Sequence, residues 1–356
     1  IERVNSRILE IGMMEPVREM PHRRNPQLES LLGELNQLLA GAESDLIAKF
    51  RAPKYPVLLV VGCPRSGSTL FTQWLADLGI FAVPSNLLSR FYAAPYIGAL
   101  IQKMLTDPAY AFQDELVEFQ PTRQEYSSTL GKTRGALSPH NFLYFWRRFF
   151  HFGEIQHLSD AELEQVDAAG FLAELAALEA AFEKPLAMKA MILNWNLAYL
   201  HSIFPRFLFV HIHRDLLYNA QSLLRSRQEF YGTIESWYSY KPPEYPMLKS
   251  MSPYAQAAGQ VYYTNQAITT QLTAIDPDCW LKVDYASFCA TPQETYAQIV
   301  SRLGKMGVAV SQPYRGEARF TESNQVHLSA AEVDQVLEAA CRFESDVQDG
   351  RLQANP

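Results

Sequence analysis

The stretch VLLVVGCPRSGSTLFTQWL, residues 57–75, decides the fold. Val57 to Val61 are five consecutive apolar residues, the pattern of a strand buried on both faces in a parallel sheet. A glycine-framed turn follows from Gly62 to Gly67. Ser68 and Thr69 then open a helix in which Leu70, Phe71, Trp74, Leu75 and Leu78 recur at helical spacing until Gly79. Gly62, four residues, Gly67, Ser68 and Thr69 reproduce the phosphate-loop spacing G-x-x-x-x-G-K-[ST], with serine in place of lysine. Loop N–H groups and a helix N-terminus make an anion cradle without that lysine. Its absence speaks against ATP or GTP hydrolysis, because the lysine is the group that reaches the β- and γ-phosphates. Arg65 supplies a cation from inside the loop instead. The expected ligand is a phosphate-like group other than the γ-phosphate of ATP.

On either side of this unit, strand and helix signals alternate. Upstream, Asn25-Pro26 opens a helix with Leu28, Leu31, Leu32, Leu35, Leu38 and Leu39 on one face and Gly41 at its end. It either packs on the core or docks to a neighbouring domain. Downstream, Ser159 and Glu162 form a capping box for a helix ending near Phe182. Strands are expected at Pro185–Ala190, Phe207–Ile212 and Trp280–Val283, and helices at Asn194–Phe204, Asp215 to about Arg227, up to about Ala274, and Thr291–Leu303. A second capping box, Ser329 with Glu332, opens the last helix. Alternating strands and helices imply an α/β, three-layer fold with a central parallel sheet and a phosphate loop. We read residues 1–50 as an N-terminal helical extension. Residues 51–356 form a single domain with two aromatic-rich insertions, about 85–157 and 228–253.

Composition narrows the function. The chain has 356 residues, 48% of them hydrophobic, enough for a sizeable core. The net charge of −7 is poor footing for a nucleic-acid binder, which needs a basic face. Four cysteines without a CxxC pair argue against a disulfide scaffold or a zinc site, and for a reducing, cytoplasmic compartment. No apolar run is long enough for a membrane span.

The second informative stretch is FVHIHRDLLYNAQSLLRS, residues 209–226. Arg214 stands at a strand end and Ser222 lies eight residues on, about two helical turns later. The two can converge on one anion near the helix start.

Together the two stretches resemble the sulfotransferases that use 3′-phosphoadenosine-5′-phosphosulfate. In that family a P-[RK]-S-G-[ST]-T loop binds the 5′-phosphosulfate, and here it reads Pro64, Arg65, Ser66, Gly67, Ser68, Thr69. The family's strand-end arginine and later serine, on the 3′-phosphate, match Arg214 and Ser222. WLKVDYASFCATPQETYAQIVSRLG resembles a third family segment, so the resemblance runs from about residue 55 to 304. It implies sulfuryl transfer to an acceptor hydroxyl of a small or lipid-like metabolite, with no metal. It also implies that Lys189, at a strand end, stabilises the leaving group, and that Arg315 or Arg319 adds a late 3′-phosphate contact.

The resemblance fails at the catalytic base. Many relatives follow the lysine with Thr-His, where this chain has Ala190 and Met191. Others place a glutamate in the turn after the loop helix, where Val83 to Leu87 contain no acid. The candidates are His140, Glu125, Glu118 and His201, histidine having the suitable ordinary pKa. His211 and His213 read as packing or cofactor neighbours, and Phe142 to Phe152 as core. Arg147 and Arg148 read as a solvated face, and the Tyr- and Pro-rich segment 228–253 as a flap over the acceptor. A more specific acceptor is a β-hydroxyacyl chain on an acyl carrier protein, as in sulfotransferase domains of polyketide or olefin synthases. The start at Ile1 is compatible with an excised domain. Two other classes stand beside this reading: a kinase with a degenerate loop, requiring ATP and Mg²⁺, and a non-catalytic nucleotide-binding module.

Overall fold

The apolar run Val57–Val61 forms β1, and all five residues are buried. In the computed structural model, which describes residues 16–113, 115–119 and 125–349, β1 lies inside a four-stranded sheet of order β2-β1-β3-β4. β2 is Ala187–Lys189, β3 is Phe207–His213 and β4 is Trp280–Asp284. Every pairing is parallel: Leu59 stands beside Met188 and Phe209, and Val210 beside Leu281. Parallel strands end together, so Gly62, Ala190, Arg214 and Tyr285 gather at one edge. The neighbours of β1, β2 and β3, lie on opposite sides of it. Its carboxyl end is therefore the switch point at which open α/β sheets form a binding crevice.

The pleat sends alternate residues to two cores. Leu58, Val60, Leu208, Val210 and Ile212 pack with Phe71, Trp74, Phe288 and Ile299. Val57, Leu59, Val61, Phe207 and Phe209 pack with Phe145, Trp146, Phe171 and Leu175. Each fully buried phenylalanine contributes about 1.5–3 kcal/mol. A third core, around Leu223, Ala258, Val261 and Phe343, joins the helices Leu216–Tyr231, Pro253–Thr273 and Ala330–Gln348.

Several expected boundaries move. The first helix runs Pro26–Ile47, through Gly41, where a side chain would meet only open space. It packs on the core through polar pins rather than one continuous leucine face. Asn36 is buried and donates to the Arg90 carbonyl (2.8 Å) while accepting from the Ala93 N–H (2.7 Å). The Glu43 carboxylate accepts the Tyr96 and Ile97 N–H groups at the start of helix Pro95–Thr106 (2.6 and 3.0 Å). Leu31 and Leu38 stay exposed. The Ser159–Glu162 box starts only a single turn, Asp160–Leu163, and the long helix Ala168–Phe182 has its own cap, Asp167. Phe145, Trp146 and Phe150 are core, as read. Arg148 is not on a solvated face, because it grips the buried Glu174 with two hydrogen bonds of 2.8 Å.

Candidate functional site

Close approach, of backbone at one and of an aromatic ring at the other, explains the loop glycines. Gly62 has φ 148°, and a Cβ there would stand 2.5 Å from the Ile212 carbonyl oxygen. Gly67 has φ 95°, and its Cβ would stand 2.3 Å from Tyr285 Cδ2. Only glycine meets both demands. Buried Asn194 clamps the loop's first residue, accepting the Gly62 N–H (3.2 Å) and donating to the Gly62 carbonyl (2.9 Å). Asn219 donates to the Pro64 carbonyl (2.7 Å). No side chain caps helix Ser68–Asp77, so its first N–H groups stay available to a ligand. Ser66 Oγ is buried and has no hydrogen-bond partner among the described residues. A cradle of open donors with an orphaned hydroxyl suits a tetrahedral anion. Cys63, also in the loop, is buried, and burial pushes its thiol pKa upward, away from nucleophilic use.

The basic side chains converge here. Arg65 Nε donates to Ser222 Oγ (3.3 Å). Arg214 is buried and held on every side. Nε donates to Asn324 Oδ1 (2.7 Å), Nη1 to the Arg65 carbonyl (3.1 Å), and Nη2 to the Ser323 carbonyl (2.9 Å) and Oγ (3.3 Å). Its guanidinium lies 4.9 Å from the Tyr285 ring centroid. Arg214 thus ties the loop to the C-terminal segment as well as carrying charge. Lys189 is 7% exposed and donates to Thr69 Oγ1 (2.9 Å). Burial, with the nearby Arg65 charge, pushes its pKa down to about 7.

Two cavities meet at the loop. One, of about 930 Å³, is lined by Arg65, Arg214, Ser222, Arg225, Ser323 and His327, among others. The other, of about 480 Å³, is lined by Arg65, Ser68, Thr69, Lys189, Met191 and much of the segment 230–245. Arg65 and Leu130 border both. Leu130 belongs to a tight hairpin, Thr129 to Lys132, closed by two backbone hydrogen bonds of 3.0 Å. A Cβ on its Gly131 would lie 3.3 Å from Arg65 Nη1 and 3.4 Å from Thr69 Oγ1, so the hairpin crosses directly over the loop.

The remaining sequence candidates line neither cavity. His140 Nδ1 accepts the Phe142 N–H (3.0 Å), which leaves the ring proton on Nε2. Burial, with Arg90 and Lys189 nearby, holds its pKa at about 4, so at neutral pH it is a donor rather than a base. His201 is exposed and packs on Phe207, the first residue of β3, at the sheet edge opposite the loop. Glu125 and Glu118 are exposed and border neither cavity. Arg315 and Arg319 are exposed and also border neither. From that late segment it is Ser323 and Asn324 that meet Arg214. His211 is buried against Asn265 Oδ1 (3.0 Å), a packing role. Sequence reasoning missed Asn194, Asn219, Tyr285 and the Thr129–Lys132 hairpin. Only the last left a local signal, the turn-forming Leu130-Gly131-Lys132.

Among the described residues no cluster of three His, Cys, Asp or Glu is placed to hold a metal, and no helix is long and apolar enough to cross a membrane. Residues 56–305 match the model of the sulfotransferase family. No curated protein matches the chain. Sulfotransferase STF9 from Mycobacterium avium shares the fold, with TM-score 0.52 and 13% identity over 94% of this chain and 87% of that one. Sulfotransferase STF1 from Mycobacterium tuberculosis H37Rv aligns with TM-score 0.47 and 14% identity over 92% and 83% of the two chains. The sulfotransferase domain of the Synechococcus PCC 7002 olefin synthase aligns with TM-score 0.40 and 16% identity over 83% and 96%.

Proposed function

The chain belongs to the sulfotransferase family, and we propose that it transfers a sulfuryl group from 3′-phosphoadenosine-5′-phosphosulfate to an acceptor hydroxyl, releasing adenosine 3′,5′-bisphosphate. The observation that carries this reading is the meeting of two cavities at Arg65. The larger leads from the loop to Arg214 and Ser222, and the smaller to Lys189 and an aromatic wall. A donor and an acceptor must approach one point from opposite sides for in-line displacement, and this arrangement has room for both.

Bound in the larger cavity, the donor would supply the sulfuryl group and, in its 3′-phosphate, the feature that separates it from ATP. The 66–69 backbone, Ser66 Oγ and Arg65 would hold the 5′-phosphosulfate. Arg214 and Ser222 would select the 3′-phosphate. The loop's donors are in place beforehand, so little reorganisation accompanies the transition state. Lys189, charged once an anion stands beside it, would neutralise charge gathering on the leaving phosphate. In the loose transition state of this reaction type, charge placement counts for more than deprotonation of the nucleophile. That is consistent with an acceptor cavity that has no histidine among its described lining residues. We place the protein in the cytoplasm, where four free thiols persist.

Calorimetric titration with adenosine 3′,5′-bisphosphate, AMP and ATP–Mg²⁺ tests this reading on wild type and Arg214→Ala. The bisphosphate should bind at least ~30-fold tighter than AMP, and the variant should lose most of that preference, as removal of a charged hydrogen-bonding partner predicts. Preference for ATP–Mg²⁺, or indifference to the 3′-phosphate, would sink the reading in favour of a kinase.

A further inference from the structure

Arg227 is buried completely, and no carboxylate answers its charge. It stands on helix Leu216–Tyr231, the helix that carries Ser222, and is 0% exposed. Nη1 donates to Gln256 Oε1 (2.8 Å) and to the Ile234 carbonyl (3.3 Å). Nε and Nη2 are buried and have no hydrogen-bond partner among the described residues. Glu235, the carboxylate whose charge Arg227 feels most, is itself exposed. Burial pushes the guanidinium pKa down to about 10. A buried cation with two open donors costs stability rather than adding to it.

Its contacts show what the guanidinium does instead. Two of them go to one short segment that lines both cavities. Ile234, whose carbonyl Arg227 holds, lines the larger cavity. Trp237 lines the smaller one, and its ring centroid lies 5.0 Å from the guanidinium. Trp237 is packed edge-on against Tyr245 at 4.8 Å and donates to the Tyr240 carbonyl (3.3 Å), so its placement carries into the rest of the aromatic wall. The third contact, Gln256, is a fixed base. It lies on helix Pro253–Thr273 and donates to the Lys249 and Met251 carbonyls (3.3 and 3.0 Å). Buried Gln260 holds the Tyr238 and Tyr240 carbonyls, both at 2.9 Å, a second hold on the segment that does not pass through Arg227.

We propose that Arg227 is a positioning residue shared by the two cavities: its single planar guanidinium fixes Ile234 on the donor side and Trp237 on the acceptor side, so that filling the donor cavity is felt in the acceptor wall. The words donor and acceptor rest on the sulfotransferase reading; the shared wall does not. The guanidinium acts here through its shape. A lysine has no plane to lay against the indole while bonding Ile234 and Gln256.

Trp237 is its own reporter. Acrylamide quenching of fluorescence would be measured in wild type and in Arg227→Met, each with and without Trp237→Phe, so that the difference isolates this indole. Saturating adenosine 3′,5′-bisphosphate should lower the Trp237 quenching constant of wild type by at least ~2-fold. Arg227→Met should raise that constant by at least ~2-fold without nucleotide, and should erase the response to the bisphosphate while calorimetry shows the bisphosphate still bound. Arg227→Lys should behave as Arg227→Met does. The melting temperature of Arg227→Met should stay within ~5 °C of wild type, because the buried charge leaves together with its contacts. A larger fall would make Arg227 an ordinary structural residue and overturn the proposal. So would Trp237 quenching in Arg227→Met equal to wild type, a bisphosphate response that survives there or is absent from wild type, or full recovery by Arg227→Lys. If the bisphosphate does not bind at all, the donor assignment falls, and quenching in the protein alone decides whether Arg227 places Trp237.

Discussion

Binding of adenosine 3′,5′-bisphosphate is expected to drive a proton onto Lys189. Burial and the neighbouring Arg65 push this amine from its ordinary 10.5 down to about 7. A 5′-phosphate in the loop would place an opposite charge nearby and return the pKa well above 8. A group of pKa 7 is neutral for ~0.1 of molecules at pH 6, ~0.5 at pH 7 and ~0.9 at pH 8. Binding should therefore take up ~0.1, ~0.5 and ~0.9 protons at those pH values, and the apparent Kd at pH 8 should be ~10-fold weaker than its low-pH plateau, about 1.4 kcal/mol. Calorimetry in buffers of different ionisation enthalpy reads the proton count directly. His140 and His211, held at about 4, are neutral throughout and silent. The difference between wild type and Lys189→Met isolates the amine from the ligand's own phosphate ionisation. A wild-type count near zero at pH 8, or the same count in Lys189→Met, refutes the reasoning. The same shift bears on stability. Because the folded pKa lies below the unfolded one, the folded protein binds fewer protons than the unfolded chain between pH 7 and 10.5, and Lys189's contribution makes stability rise with pH across that window. Below pH 7 its burial penalty is present in full.

Two further substitutions test the loop. Gly67→Ala puts a side chain at φ 95° and against Tyr285, so urea unfolding should show a loss of about 1–3 kcal/mol and titration should show bisphosphate binding abolished; wild-type stability and binding would contradict the clash. Asn194→Ala leaves the Gly62 N–H and carbonyl buried without their partner, at about 1–3 kcal/mol for each group. It should weaken bisphosphate and AMP by equal factors, whereas Arg214→Ala changes their ratio; a changed ratio in Asn194→Ala would show that the two residues do not act separately.

Much of the loop and its surroundings was legible because these residues are local in the chain. Strand, turn and helix start are continuous in residues 57–75, and Arg214 and Ser222 are linked by the geometry of one helix. The meeting of loop, Lys189 and Arg214 follows from parallel pairing, which brings the carboxyl ends of β1, β2 and β3 to one edge. The clamps were not legible. Asn194 holds a residue 132 positions away, and Asn324 holds one 110 positions away. Neither pairing leaves a periodicity or a spacing in the chain. The surroundings of His140 and His201 were not legible for a related reason: what a histidine can do depends on what its ring nitrogens already bind and on which end of the sheet it occupies.

By itself the sequence determined that a buried strand feeds a glycine loop with an arginine inside it and a hydroxyl-rich helix start, that further strands alternate with helices, and that no ordinary nucleotide-hydrolysing lysine is present. Those properties are written in neighbouring residues, within reach of one turn or one helix. Only the tertiary structure decided that the Thr129–Lys132 hairpin roofs the loop, that Ser323 and Asn324 hold Arg214, and that two cavities meet at Arg65. Each of those is a contact closed across tens to hundreds of residues, and its existence depends on strand order and packing, which no local pattern encodes.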